Sequence, residues 1–212
     1  GTQFMESDLR MAVEAAADWG TYVMVHAYTP RSIQRAIRAG VKSIEHGQLA
    51  DEETARMMAD NDIWWSLQPF LQDEDANVYP DPVRRERQRV VAEGTARAYE
   101  FAQRFNIKTA WGTDVLFNPQ KTSTQGRQLA KLTRFYPAHE VVNMATKMNG
   151  ELLGLSGARN PYPGKIGRIE AGALADLLVV EGDPTVSLAF LETPDATISL
   201  IMKGGKIYKK NF

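Results

Sequence analysis

The sequence predicts an α/β fold: half of a (β/α)8 barrel over residues 2–156, followed by a small β segment over residues 157–212. Three observations carry this. Four short runs, largely apolar, alternate with helical patterns through the first 150 residues, as parallel strands covered by helices do. Four β/α units are half of an eightfold barrel. Beyond Gly154 the pattern changes to short strands separated by glycine and proline.

The first helix spans Asp8 to Asp18, with Leu9, Ala12, Val13 and Ala16 at helical spacing. Thr21 to Ala27 reads as a strand. Thr29-Pro30 supplies an N-cap and a first-turn proline, and Gly40 ends that helix. Val41 to His46 is the second strand. Asp51 caps the next helix, with Glu52 and Glu53 favoured in its first turn by the helix dipole, and Asn61 closes it. Ile63 to Leu67 is the third strand. A loop with Pro69, Pro80 and Pro82 leads to a long helix from Arg84 to Phe105. Ile107 to Trp111 is the fourth strand, followed by helices over 125–134 and 138–153. After the rigid turn Asn160 to Gly164, strands are expected at Ile166–Ile169, Leu177–Val180, Ile198–Met202 and Lys206–Tyr208. Gly204-Gly205 turns the last pair into a hairpin.

Composition narrows the function. The net charge is −1 with no basic stripe, which argues against nucleic acid as a partner. The absence of cysteine removes disulfide and thiolate chemistry. No apolar run approaches the roughly 20 residues of a membrane span, so no membrane partner is expected.

His26, His46 and Asp114 each sit at the carboxyl end of a strand, where α/β folds collect ligands. In the first strand Tyr22, Met24, His26 and Tyr28 share one face and Val23, Val25 and Ala27 the other. With the valines under helices, His26 faces inward. A lone histidine is more often a core residue than a ligand. Two at consecutive strand ends, with an aspartate at a third, favour a metal. His139, at a helix start, reads as a surface residue. Asp176 reads as a turn-fixing carboxylate.

Six segments carry a family resemblance: HAYTP (26–30), SIEHG (43–47), WGTD (111–114), ATKMNGELLGL (145–155), GKIGRIEAGALADLLVVEGDP (164–184) and IMKGGKIYK (201–209). In this order they resemble the C-terminal half of a metal-dependent amidohydrolase, in the branch of imidazolonepropionase-like enzymes and Xaa-Pro dipeptidases. The resemblance implies barrel strands five to eight, and a β segment belonging to a composite β-sandwich. It implies that His26 and His46 bind a divalent metal, zinc being the expected ion, one or two per complete enzyme. It implies that Asp114 both binds metal and moves the proton during hydrolysis of a C–N bond. Tyr28 would orient a substrate carboxylate, so the expected substrate is a small molecule with an amide bond and a carboxylate, of the kind a prolidase cleaves.

The departures matter equally. Such enzymes take further ligands from a His-x-His on strand one and, in binuclear members, a carboxylated lysine. This sequence has three histidines, no His-x-His and no lysine before His26. The expectation is a fragment that alone is weakly active or inactive. Two open sheet edges and an exposed inner face would be covered by a missing N-terminal half or a second copy. A non-catalytic module that keeps the fold is the alternative. A deaminase fits less well, because Thr29 stands where deaminating relatives tend to carry glutamate.

Overall fold

A computed structural model describes residues 2–115 and 119–212. Helix α1 (Glu6–Asp18) precedes three strand–helix units: β1 (Met24–Ala27) with α2 (Pro30–Ala39), β2 (Ser43–His46) with α3 (Glu52–Asp60), and β3 (Trp64–Leu67) with α4 (Pro82–Arg104). Strand β4 (Thr109–Trp111) completes a four-stranded sheet in sequence order, parallel throughout.

Local chemistry sets the boundaries. Thr29 caps α2 in extended conformation, its backbone N–H donating to Ser32 Oγ, and Gly40 ends the helix at φ 98°. Asp51 accepts the Thr54 amide at 2.8 Å. Asp81 accepts the Val83 amide, and Pro82 takes the first turn of α4, so this helix starts two residues earlier than the sequence suggests.

The main core lies between the sheet and these helices. Ile33, Ile44, Met58, Trp65, Leu67 and Tyr99 are fully buried there, and Val23 and Val25 pack against it as strand parity predicts. Each large apolar side chain contributes about 1.5–3 kcal/mol of burial. A smaller cluster of Trp64, Ala110 and Leu152, with Tyr22 and Met148, forms apart from it.

Downstream, α5 (Gln125–Ala130) is flanked by 3-10 turns. The expected 138–153 helix is interrupted: α6 (Ala138–Asn143) runs into a π-helical turn at Met144–Met148 and then α7 (Asn149–Gly154). The antiparallel sheet comprises β5 (Leu177–Val180), β6 (Ile198–Lys203) and β7 (Lys206–Lys210), with Gly204 at φ 55° and Gly205 at φ 79° in the hairpin turn. Asp176 fixes this turn by accepting the Gly204 amide at 2.6 Å.

Two expectations are corrected. Ile166–Ile169 is not a strand: Gly167 adopts φ 73°, and a side chain there would sit 2.2 Å from the Thr146 carbonyl. Close packing against the π-helical turn overrides the apolar pattern. The β4 edge is not fully open either. Asn149 accepts the Trp111 amide and donates to the Trp111 carbonyl, both at 2.9 Å, as a neighbouring strand would.

Candidate active site

β1 and β2 bring two of the expected ligands together. Register pairs His26 with Glu45 and Ala27 with His46. Alternation along β2 would therefore point Glu45 toward the His26 face and His46 away from it. The backbone reverses this at the last residue. His46 takes the left-handed region at φ 76° and Gly47 follows at φ 79°. The His26 and His46 rings consequently meet edge to face, with centroids 4.4 Å apart. A left-handed histidine is uncommon and costs free energy, and such residues cluster at functional sites.

The turn is held from below. Trp65 Nε1 donates to the His46 carbonyl at 2.7 Å. Only glycine fits at 47, since a Cβ there would lie 2.6 Å from that indole nitrogen. Gly94 of α4 serves the same loop, its Cα so close to Gln48 that a Cβ would stand 2.2 Å from the Gln48 carbonyl oxygen.

Aromatic rings fix the imidazole. Tyr28 stacks on His46 at 4.8 Å and 9°, and Phe70 stacks on it at 5.8 Å and 19°. Tyr28 also meets His26 edge-on at 5.1 Å. Burial pushes the Tyr28 phenol up to about 12, with the Asp114 charge and Tyr79 acting in the same direction. It is a neutral hydrogen-bond donor near neutral pH. Burial also lowers the His46 pKa, as does His26, while the Asp114 charge and the Gln68 side chain oppose this. His46 Nδ1 is buried without a hydrogen-bond partner.

Asp114 lies on the exposed loop past β4, also left-handed, at φ 53°. Its charge acts on both Tyr28 and His46. Among the described residues no three His, Asp or Glu side chains are arranged as a metal site. Two imidazoles side by side suit zinc, and on that donor chemistry the residues fit part of a ligand set. His139 is exposed.

Sequence reasoning missed Glu45, Gln68 and Phe70. Glu45 shares the His26 face and accepts the Ser43 hydroxyl at 2.7 Å. Register could have indicated Glu45, but Phe70 becomes visible only once the β3–α4 loop is placed. That loop is anchored by Lys131, which is buried and bonds Asp73 at 2.7 Å and Asp75 at 2.5 Å, while Arg127 also pairs with Asp75.

The chain is similar to known proteins along almost its whole length. The ochratoxinase of Aspergillus niger is 26% identical across 98% of this chain and 42% of its own length. A crystal structure of an amidohydrolase superposes with a TM-score of 0.81 at 34% identity, over 98% of this chain and 49% of that one. A prolidase complexed with N-methylphosphonate-L-proline gives 0.84 at 27% identity, over 98% and 50%. The chain thus spans about half the length of these relatives. The sequence model of the Amidohydrolase family matches residues 1–208, and this chain belongs to that family.

Proposed function

We propose that the chain carries the strand-end half of the active site of a metal-dependent hydrolase of amide or peptide C–N bonds, of prolidase type. The carrying observation is the His26–His46 pair, brought ring to ring by a left-handed residue at the end of β2. His26 and His46 would hold the ion, with Asp114 at the same rim. A divalent metal such as zinc, when bound, supplies Lewis acidity toward the scissile carbonyl.

The protein's own groups do the rest. Asp114 accepts a proton from the attacking water and returns it to the departing amine nitrogen. Tyr28, held neutral, donates its hydroxyl to a substrate carboxylate. The barrel's remaining half, carrying further ligands, completes the site, and it covers the inner face and the β1 edge. The prolidase and ochratoxinase likenesses support this reading at family level.

Metal analysis tests it. The chain is expected to retain zinc through desalting, and His26→Ala and His46→Ala each to lose it. Absence of zinc from the unaltered chain supports the non-catalytic module instead. Hydrolysis of Xaa-Pro dipeptides by this chain alone is expected to be weak, and robust turnover would refute the need for completion.

A further inference from the structure

Gln68 follows β3 directly, and its side chain is almost wholly buried. Its amide nitrogen donates to the Ser66 carbonyl at 3.2 Å. That bond fixes which end of the carboxamide is which, and Oε1 is left buried without a partner. Burying an unpaired acceptor costs free energy, so an orphan of this kind calls for an explanation.

The adjacent strand holds its complement. β2 and β3 are neighbours, with Glu45 opposite Ser66, so His46 and Gln68 end adjoining strands. His46 Nδ1 is likewise buried and unpartnered. The backbones of these two strand ends are tied together, because Gln48 Nε2 donates to the Gln68 carbonyl at 3.3 Å. Tyr28 and Phe70 stack on the faces of the imidazole, leaving only in-plane contacts to decide which ring nitrogen carries the proton.

We propose that Gln68 is the positioning residue for His46: its carboxamide oxygen accepts the Nδ1 proton and leaves Nε2, with its lone pair, toward the rim. The two atoms are not hydrogen-bonded to each other in this structure; the pairing, once made, satisfies two buried orphans with one hydrogen bond. A ligating histidine needs one nitrogen free of a proton, and the partner on its other nitrogen sets which one. The consequence for metal binding rests on the reading of His46 as a ligand; the tautomer itself does not.

The test uses the metal-free chain, labelled with 15N, at pH 8, where an ordinary imidazole is neutral. Long-range 1H–15N correlations report the tautomer of each histidine, and His26→Gln and His139→Gln assign the signals. His46 is expected as the Nδ1–H tautomer. Gln68→Glu, which keeps an acceptor, should preserve it. Gln68→Leu should shift the population to Nε2–H or a mixture.

An Nε2–H tautomer in the unaltered chain overturns the proposal, and this arm needs no variant to fold. An unchanged tautomer in folded Gln68→Leu also overturns it. Zinc affinity, read by competition with a chromophoric chelator, should fall about 10–100-fold in Gln68→Leu and much less in Gln68→Glu. If the unaltered chain shows the Nδ1–H tautomer but binds no zinc, the metal reading fails and the assignment of Gln68 stands. If it binds zinc through His46 with the opposite tautomer, only the assignment fails.

Discussion

Tyr28 and His46, at the ends of adjoining strands and eighteen positions apart in the chain, lie ring on ring at 4.8 Å with their planes nearly parallel. The stack restrains the imidazole, while the phenol hydroxyl is a separate feature. Tyr28→Phe should keep the ring contact and leave zinc affinity within about threefold. Tyr28→Ala removes a stacked pair and should lower the unfolding free energy by about 0.5–1.5 kcal/mol beyond its lost burial. Urea denaturation with zinc titration checks both, and equal behaviour of the two variants would contradict the stacking argument.

The same tyrosine predicts an alkaline limit. An unfolded phenol ionises near pH 10, whereas the folded one is held to about 12. The folded state prefers the protonated form, so stability is intact below about pH 10 and declines from there to about 12. Stability measured across this window should fall less steeply in Tyr28→Phe than in the unaltered chain.

Lys131 anchors the loop that brings Phe70 to the imidazole. Lys131→Met would leave the largely buried Asp73 carboxylate without its ammonium and Asp75 with Arg127 alone, at a cost of about 3 kcal/mol at pH 7. Burial raises the Asp75 pKa, but hydrogen bonds and charge from Arg127 and Lys131 outweigh this and hold it below the usual carboxylate value. In the unaltered chain that stabilisation is present above about pH 4 and is lost as pH falls through the depressed folded value. The deficit of the methionine variant should therefore shrink on acidification. A constant deficit from pH 7 to pH 3 would argue against the ionic anchor.

Gly94 couples helix packing to the strand end. Gly94→Ala places a methyl into the Gln48 carbonyl and should cost at least about 2 kcal/mol by urea denaturation, despite alanine's higher helix propensity. It should also weaken zinc binding, because the loop that follows His46 must move.

Asp114 combines exposure with a left-handed backbone. Asp114→Gly removes the conformational penalty and should change stability by no more than about 1 kcal/mol, on the stabilising side. Loss of zinc affinity in the same variant would mark a residue kept for chemistry rather than for folding. Destabilisation beyond 1 kcal/mol would assign it a structural role.

The positions legible in the sequence are those set by local chemistry. Thr29-Pro30 and Gly40 bound a helix because capping involves neighbouring residues, and His26 faces its side of β1 because alternation is local. His46 was found at the correct strand end, but alternation alone would turn it the wrong way; the left-handed backbone that corrects this depends on Trp65 and Gly47. Gln68 and Phe70 carry no local signature, since their roles arise from packing between strands and from a loop tied down about 60 residues later in the chain. Ile166–Ile169 misled for the same reason: its two isoleucines are an apolar signal, but the contact at Thr146 that bends the segment lies elsewhere in the chain.

Asn149 stands at Trp111 where a fifth strand would otherwise bond. Head-to-tail growth by strand pairing needs an available border on each side of a sheet, and here one is plugged by a helix side chain. Strand addition at the β4 border must first displace Asn149, a step that the Met24–Ala27 border does not share. Self-association through this sheet is therefore favoured at the β1 border, where a two-fold pair closes on itself instead of running on into a filament.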